Sequence, residues 1–394
     1  MLTIYHLRSC GGALILGRME IQRPIDIDAC STWLEIDLGA IKNNLNLLTK
    51  LTGRPVMPVV KANAYGHGLI EVSKAAVEAG VEWLGVARIE EALALRAAGV
   101  ACKILVLGYT PPKQVGAAVQ ERISLTVYDK AVAQSYADEA AQVGGSVSVH
   151  VKVDSGMGRL GVFPQDAVDF VRWLKGQRGL DVEAIFTHFA RADETKYTTT
   201  DEQIERFDGV LKELEKDGIK PRLVHAANSA GTLNYPAGRY DLARCGIVMY
   251  GLQPSPDSPL PEGFIPALSW KTHLVSLKTL PPGHGVSYNF HYFTKKDERI
   301  GAIAIGYADG FRRRAGNIVL VRGKRVPVVG AVCMDQCMVQ LDDVPEARLQ
   351  DEVVLIGRQG DEMISADELA KDWGTINYEV LCGLADRVPR IYLK

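Results

Sequence analysis

The sequence lacks a long apolar run, an excess of charge of one sign and a regular set of cysteines. Its nearest approach to a membrane segment, residues 13–16, is far too short to cross a bilayer. The net charge of −2 gives no basis for a clustered cationic face, which a nucleic acid or a membrane surface would require. We therefore expect a globular protein with neither kind of partner.

The seven cysteines are odd in number and irregularly spaced, which fits a reducing compartment better than a disulfide scaffold. We therefore expect a cytoplasmic protein. Cys333 and Cys337 have no second pair of Cys or His nearby, so we expect no metal site.

The N-terminal segment makes a poor signal peptide, because no small-residue cleavage site follows its short apolar run. We expect residues 1–30 to be a poorly ordered leader or a non-native start. Met19 is the candidate for the true beginning.

The middle of the chain alternates between short apolar runs and longer amphipathic or Ala-rich stretches. The apolar runs cover residues 56–60, 83–87, 104–107, 123–127, 147–153, 182–186, 223–225 and 242–249. Eight strands alternating with helices predict an α/β fold, a (β/α)8 TIM-type barrel with a parallel sheet. An open doubly wound sheet is disfavoured, since no Gly-rich dinucleotide fingerprint follows the first strand.

A cluster of prolines between residues 254 and 266 is typical of a linker between domains. Beyond it the chain is rich in β-type runs, with one helix at residues 366–373. We predict a barrel over residues 31–260 and a mostly-β C-terminal domain over residues 261–394, a small antiparallel barrel or sandwich. An early strand at residues 33–37 has no partner in the barrel count, so we expect it to pair with the C-terminal sheet.

Lys61 directly follows the first apolar run and precedes a Gly-rich turn. A lysine at this position more often reaches into water. An amine at the edge of an apolar strand, where desolvation disfavours the ammonium form, is also what a Schiff-base lysine requires.

Further polar residues follow the later strands, where the active site of a β/α barrel lies. Ser229 and the backbone amides of Gly246 and Ile247 fall on the last two strands and match the phosphate site common in this architecture. A lysine, a phosphate site, an arginine and a histidine together suggest pyridoxal 5'-phosphate as the cofactor.

Nine segments, in order and in both predicted domains, resemble the motifs of the alanine racemases, a family of pyridoxal-phosphate enzymes. They are residues 59–68 (VVKANAYGHG), 152–161 (KVDSGMGRLG), 187–189 (THF), 225–229 (HAANS), 244–247 (RCGI), 286–288 (VSY), 306–310 (GYADG), 333–336 (CMDQ) and 377–379 (NYE). The resemblance covers the chain from about Trp33 to the C-terminus.

The resemblance implies a role for each matching residue. Lys61 would carry the cofactor as a Schiff base and act as one catalytic base, with Tyr288 as the other. The residues implied to bind the cofactor are Lys61, Tyr65, Arg159, His188, Asn228, Ser229, Arg244, Gly246, Ile247 and Tyr378. Arg159 and the backbone of Met334 would also contact substrate, Asp335 would support the site, and Lys152 matches a position that is often carbamylated.

Racemisation itself requires two bases, because one proton leaves one face of the α-carbon and another returns to the opposite face. Lys61 and Tyr288 lie in different predicted domains, so they could flank the substrate–cofactor Schiff base. A phenol is a poor base at neutral pH, and Arg244 with His188 could supply the positive charge it needs. The resemblance also implies that Arg244 faces the pyridine nitrogen of the cofactor. A guanidinium cannot accept a hydrogen bond, so it would keep that nitrogen unprotonated and favour simple proton return.

The resemblance further implies a homodimer in which the partner subunit supplies the second base, and a role in making D-alanine for peptidoglycan. Asn289 and Ala331 depart from the family pattern, which usually has glycine and arginine there. Three alternatives remain: a racemase of serine or another small amino acid, a decarboxylase of the same architecture, and a non-catalytic pyridoxal-phosphate carrier. Alanine is the substrate we expect.

Overall fold

The computed structural model describes residues 9–10, 13–14 and 27–394. Ser9–Cys10 and Ala13–Leu14 form a short antiparallel pair. The expectation of a leader over residues 1–30, with Met19 as the alternative start, falls largely outside the described residues. No helix within the described ranges is long and apolar enough to cross a membrane.

Eight parallel strands form the predicted barrel. They are β2 (Val56–Pro58), β3 (Trp83–Val86), β4 (Lys103–Val106), β5 (Ile123–Val127), β6 (Val147–Lys152), β7 (Leu180–Phe186), β8 (Leu223–His225) and β9 (Ala243–Cys245). Strands β3 to β8 pair in chain order, and β9 pairs with β2. A bridge between Val59 and Gly85 joins β2 to β3, and the Arg244 N–H donates to the Ala227 carbonyl at 3.0 Å beside β8. The (β/α)8 prediction is confirmed.

The helices that cover the barrel are α1 (Leu38–Thr52), α2 (Leu69–Glu78), α3 (Ile89–Ala97), α4 (Val115–Gln120), α5 (Lys130–Gln142), α6 (Pro164–Lys175), α7 (Thr199–Lys216) and α8 (Ser229–Asn234). Helix α1 shows why such a segment is helical and where it stops. Asp37 caps its first turn by accepting the Ala40 N–H at 2.8 Å, and Gly53 ends it at a φ of 59°. Its apolar positions Ile41, Leu45 and Leu48 are fully buried in the core.

The last barrel strand is shorter than the apolar run at residues 242–249 predicted. At Gly246 the backbone leaves the extended region, with φ −101° and ψ −98°, and Ile247–Tyr250 forms a 3-10 turn. The apolar run therefore contains a strand followed by a buried turn. Both are apolar throughout, so the periodicity of the sequence alone does not distinguish one from the other.

The C-terminal half is built from antiparallel strands, as predicted. Its elements are β10 (Leu268–Leu280), β11 (Gly285–Val286), β12 (Tyr292–Phe293), β13 (Glu298–Ile303), β14 (Ile318–Val321), β15 (Lys324–Val329), β16 (Cys337–Gln340), β17 (Glu352–Gln359), β18 (Glu362–Ile364), α9 (Ala366–Trp373), α10 (Asn377–Cys382) and β19 (Arg390–Leu393). Strands β10, β13, β16, β15, β14 and β17 pair in that order, and β17 pairs back onto β10. The sheet therefore closes into a small antiparallel barrel.

Strand β1 (Thr32–Asp37) lies beside this second barrel. It pairs antiparallel with β10 and parallel with β19. The strand that precedes the first barrel in the chain is thus an integral part of the C-terminal sheet, and it connects the two halves directly through Asp37 into α1.

Candidate active site

Lys61 begins a turn of unusual handedness at the C-terminal end of β2. Ala62, Asn63, Ala64 and Tyr65 have φ values of 53°, 54°, 53° and 52°, all in the left-handed region. For residues with a Cβ this conformation costs roughly 1–2 kcal/mol each, so the surrounding structure must hold it. The sequence predicted only a Gly-rich loop here. The left-handed conformation was not predicted, because none of these four residues is glycine.

Several side chains hold the turn. Glu91 on α3 accepts the Ala62 N–H at 2.7 Å, and its other oxygen accepts the Ala87 N–H at 2.8 Å. The Asn63 Oδ1 accepts the Leu69 N–H at 2.8 Å at the start of α2. Glu91 was not identified from the sequence, although its position three residues after the N-cap Arg88 is a capping signal.

His67 also braces the turn from within the core. Its Nδ1 lies 3.1 Å from the Ala64 carbonyl and 3.0 Å from the Tyr65 carbonyl, so this nitrogen carries the proton and donates. The ring is fully buried and stacks on Tyr250 with 4.3 Å between centroids. Burial lowers the pKa of His67 to about 4, which keeps it neutral.

The environment of Lys61 disfavours its charged form. Burial is the largest cause that lowers its pKa, and the positive charge of Arg159 adds to the effect. An amine with a lowered pKa is a better nucleophile and base at neutral pH than a lysine in water.

A group of polar residues and backbone N–H groups lies at the ends of β8 and β9. The Gly246 N–H lies 3.0 Å from the Ser229 Oγ, and Asn228 caps α8 by accepting the Gly231 N–H at 2.9 Å. A Cβ on Gly246 would lie only 2.4 Å from the Tyr65 hydroxyl, so only glycine fits there. The ring of Tyr378, from α10, lies 6.0 Å from that of Tyr65.

Arg244 is buried on β9 beneath this group. Its Nη1 donates to the Nδ1 of His225 at 2.9 Å, and its Nη2 contacts the Nδ1 of His188 at 3.1 Å. The carbonyls of Thr187 and Ala226 accept from Nη2 at 2.9 and 2.8 Å. Burial lowers the pKa of Arg244 to about 9, which leaves it charged at neutral pH.

Lys152 lies at the end of β6, and its Nζ has no hydrogen-bond partner in the described part of the chain. Burial, followed by the charges of Arg244 and Arg159, holds its pKa well below the usual value. The Lys152 Nζ forms no ion pair with the nearby Asp154 in the described part of the chain. The Asp154 Oδ1 instead accepts the backbone N–H groups of Gly156, Met157 and Gly158 at 3.0, 2.8 and 3.1 Å.

Tyr288 and Met334 lie on the surface of the C-terminal half, 67% and 53% exposed. No hydrogen bond among the described residues joins either side chain to Lys61, His188 or Arg244. Asp335 lies next to Met334 and forms an ion pair at 2.7 Å with Arg387, which also holds Asp309 at 2.7 Å. A single chain therefore assembles one part of the predicted site and leaves Tyr288 and Met334 facing outward.

The residues present fit a phosphorylated aldehyde cofactor. The Arg244 guanidinium gives the pocket positive charge, the Lys61 amine can form a Schiff base with an aldehyde, and the Ser229 and Gly246 donors suit a phosphate. No group of three or more His, Cys, Asp or Glu in the described residues could hold a metal ion.

The family models match the chain in two consecutive parts. Residues 36–254 match the alanine racemase N-terminal domain and residues 267–392 the alanine racemase C-terminal domain. The chain belongs to the alanine racemase family. This family depends on pyridoxal 5'-phosphate, in agreement with the cofactor inferred from the residues.

Full-length relatives support the same assignment. An alanine racemase of Symbiobacterium thermophilum is 45% identical over 93% of this chain and 99% of its own. A solved alanine racemase of Clostridium difficile 630 has a TM-score of 0.88 and 38% identity, covering 93% of this chain and 96% of that one. A Bacillus anthracis alanine racemase, solved with bound L-Ala-P, has a TM-score of 0.86 and 43% identity, covering 93% and 95%.

Two histidines and a carboxylate of the barrel interior were missed as part of the site. His225 lies within a family motif and His150 lies two residues before Lys152, so strand alternation already placed it on the inward face. Glu183 gave no such signal, because its orientation depends on an irregularity in β7.

Proposed function

We propose that this chain is a pyridoxal-phosphate-dependent racemase that interconverts L-alanine and D-alanine. The observation that carries the proposal is the meeting of Lys61, the Ser229 and Gly246 donors and the buried Arg244 at one end of the barrel. The likeness to alanine racemases over 93% of the chain supports the same reaction.

The cofactor would be held by residues whose positions the fold fixes. Lys61 would bind it covalently, and the phosphate would be bound by Tyr65, Ser229, Gly246, Ile247 and Tyr378, with Asn228 shaping the start of α8. Arg244 would face the pyridine nitrogen, and Arg159 would lie near the phenolic oxygen and the substrate. When bound, pyridoxal phosphate stabilises negative charge at the substrate α-carbon.

Two side chains would move the proton. The Lys61 Nζ, whose pKa is lowered by burial and by Arg159, serves the α-carbon from one face. The Tyr288 Oη would serve the other face, and the contact between Arg244 and His188 would extend toward it. Met334 would position the substrate carboxylate, with Asp335 holding its segment through Arg387.

Arg244 favours racemisation over decarboxylation. A guanidinium only donates hydrogen bonds, so it cannot accept the N–H of a protonated ring nitrogen as a carboxylate partner would. The carbonyls of Thr187 and Ala226 fix its orientation. The decarboxylase alternative is therefore disfavoured by this residue, and the carrier alternative leaves Tyr288 without a purpose.

Alanine is the proposed substrate, because Tyr288, Tyr378 and Met334 would make a narrow pocket. Serine differs from it by one hydroxyl, a difference that apolar pockets discriminate weakly. Comparison of kcat/KM for the two amino acids decides between them, and a higher value for serine would overturn the choice.

We further propose a homodimer in which each site takes Tyr288 and Met334 from the partner subunit. Tyr288, Phe290, Phe293 and Met334 are all more than half exposed, and exposed apolar side chains grouped this way mark an interface with another protein. We place the enzyme in the cytoplasm, where its product would serve peptidoglycan synthesis. The free thiols of Cys102, Cys245, Cys333, Cys337 and Cys382 agree with a reducing compartment.

The experiment is to incubate the enzyme, loaded with pyridoxal phosphate, with L-alanine in deuterium oxide. We expect loss of the α-proton together with formation of D-alanine. Exchange without inversion would contradict the two-base proposal, and the absence of exchange would contradict the function. The Lys61→Ala variant is the negative control.

A further inference from the structure

A continuous row of hydrogen bonds leads from Arg244 through the barrel interior to its opposite end. Arg244 contacts His225 at 2.9 Å, the His225 Nε2 contacts the His150 Nδ1 at 3.0 Å, and the His150 Nε2 contacts the Glu183 Oε2 at 3.2 Å. Both imidazoles are fully buried. The mechanism above uses Arg244 but neither His150 nor Glu183.

The chemistry of the two ends fixes the direction of every bond in the row. A guanidinium only donates, so the His225 Nδ1 must present its lone pair to Arg244 and the proton must sit on Nε2. That proton is donated to the His150 Nδ1, which leaves the His150 proton on its own Nε2. The carboxylate of Glu183 accepts it, because an ionised carboxylate is an acceptor only. Each imidazole therefore has one permitted tautomer.

The surroundings of the imidazoles keep them neutral, as this pattern requires. Burial lowers the pKa of both His150 and His225, and the charge of Arg244 lowers that of His225 further. The ring of His225 also stacks on Phe186 with 4.6 Å between centroids, so it cannot rotate freely to exchange its two nitrogens.

Glu183 is held in the ionised form at the far end of the row. Burial opposes its ionisation, but the hydrogen bonds from His150 and Ser124 and the charge of Lys103 outweigh this and lower its pKa to about 2. Ser124 donates to the carboxylate at 2.9 Å, and Lys103 lies 3.3 Å away.

The backbone of β7 is irregular at this residue. In the pairing of β6 with β7, Val149 is opposite Val182 and His150 is opposite Ala184, so Glu183 is the extra residue. Such bulges redirect a side chain and recur next to active sites. In a regular strand Glu183 would be opposite His150, whereas here the bulge leaves it unpaired between Val182 and Ala184.

We propose that Glu183 is a positioning residue that acts on Arg244 through His150 and His225, by fixing which nitrogen of each imidazole carries the proton. Without the carboxylate, His150 can carry its proton on Nδ1. The Nδ1–H of His150 would then face the Nε2–H of His225, and both groups are donors. His225 would relieve this by carrying its proton on Nδ1, where it would present an N–H to the guanidinium of Arg244. Arg244 would lose its acceptor and its fixed orientation toward the pyridine ring. The proposal rests on the proposed function in one respect only, the role of Arg244 at the pyridine ring.

The test combines a direct view of the protons with kinetics, using the holoenzyme labelled with ¹⁵N-histidine. In the wild-type protein, long-range ¹H–¹⁵N spectra are expected to show His150 and His225 neutral, with Nε2 protonated and Nδ1 not. A proton on the Nδ1 of His225 would overturn the proposal before any variant is made. This spectrum does not depend on activity, so its failure is distinguishable from failure of the proposed function.

Three variants then test the effect on Arg244. Glu183→Ala removes the acceptor, and Glu183→Gln keeps an acceptor oxygen without the charge. Asp181→Asn is the control, since it removes a carboxylate of the same strand that contacts Arg222 and Ser148 and is not bonded to His150 or His225 in the described part of the chain. For Glu183→Ala we expect a changed His225 tautomer, a shifted pH profile of the bound cofactor's absorbance and about ten-fold lower kcat, the equivalent of one hydrogen bond to a charged group. Glu183→Gln should restore the tautomer and most of the activity, and Asp181→Asn should match the wild type.

Two results would contradict the proposal. One is a Glu183→Ala protein with wild-type tautomers and pH profile, whatever its activity, since that would leave Glu183 a structural role only. The other is a Glu183→Gln protein as impaired as Glu183→Ala, with altered tautomers. If Glu183→Ala does not fold, the wild-type and Glu183→Gln spectra still decide the assignment of the protons.

Discussion

At the scale of single residues, burial determines the protonation of the site. Lys61, Lys152 and His188 all have lowered pKa values, with burial as the largest cause, and the positive charges of Arg159 and Arg244 lower each of them further. Cationic side chains that are forced toward their neutral forms are available as nucleophiles, bases and hydrogen-bond partners. The site therefore obtains its reactivity from exclusion of water as much as from the identity of its residues.

The buried amine of Lys152 is expected to react with carbon dioxide. A neutral, buried amine can add to carbon dioxide, which forms a carbamate and releases a proton, and the negative carbamate would then lie near Arg244 and Arg159. We expect the protein in ¹³C-bicarbonate to show a carbamate signal by ¹³C NMR. The signal should vanish in Lys152→Gln and remain in Lys74→Gln, which changes an exposed lysine. A signal that persists in Lys152→Gln would disprove the assignment.

The lowered pKa of His67 should make the stability of the protein depend on pH. Its folded-state pKa of about 4 lies below the reference of 6.5, so the unfolded chain binds more protons and stability rises with pH between these values. We expect the free energy of unfolding to fall as the pH drops from 6.5 toward 4, by up to about 3 kcal/mol from this residue. Urea titrations at several pH values measure it.

The control for this prediction is an exposed histidine. His67→Gln should weaken the dependence on pH, to which the buried His150 and His225 also contribute, whereas His284→Gln should leave it as in the wild type. Equal slopes for the wild type and His67→Gln would show that His67 is not the group responsible.

At the scale of elements, the left-handed turn after β2 is the feature that positions Lys61. Four consecutive residues adopt a conformation that L-amino acids avoid, and polar contacts from α3, α2 and the core compensate for it. Strain of this kind persists only where the surroundings over-determine the backbone.

Glu91 provides the sharpest test of that element. Glu91→Ala removes the acceptor for three backbone N–H groups, of Ala62, Ala87 and Arg88, so we expect a loss of about 1.5–3 kcal/mol of stability. Weaker binding of pyridoxal phosphate should accompany it, because the turn carries Lys61. Thermal unfolding and cofactor titration measure the two effects. Glu90→Ala, which changes the exposed neighbour, should resemble the wild type, and a wild-type-like Glu91→Ala would refute the role of Glu91.

The sequence predicted elements better than it predicted the connections between them. All eight barrel strands and helix α9 were located from their apolar patterns, because burial imposes a pattern on the sequence. Three irregular features could not be located in this way, because each depends on tertiary contacts. They are the left-handed turn after β2, the 3-10 turn at Ile247–Tyr250 and the bulge at Glu183. The candidate site residues of the barrel were predicted from their positions at strand ends and from family motifs, whereas Glu91 and Glu183 lie outside those motifs.

At the scale of the whole molecule, the two halves share elements and cannot be regarded as independent. Strand β1 belongs to the C-terminal sheet by pairing and leads directly into α1 of the barrel. Asn44 on α1 holds the linker, since its Nδ2 donates to the carbonyls of Met249 and Ile265 at 3.1 and 2.8 Å. We propose domains over residues 31–260 and 261–394, with β1 as the exchanged strand.

The central claim is that a complete site needs two chains, one giving Lys61 and the other Tyr288. The most direct test mixes Lys61→Ala and Tyr288→Phe proteins under conditions that exchange subunits, and then measures alanine racemisation. Each variant alone should be nearly inactive, and the mixed dimers should each contain one site with both wild-type bases. With random exchange we predict recovery of about a quarter of wild-type activity. No recovery, with exchange of subunits shown by mass spectrometry, would contradict the account.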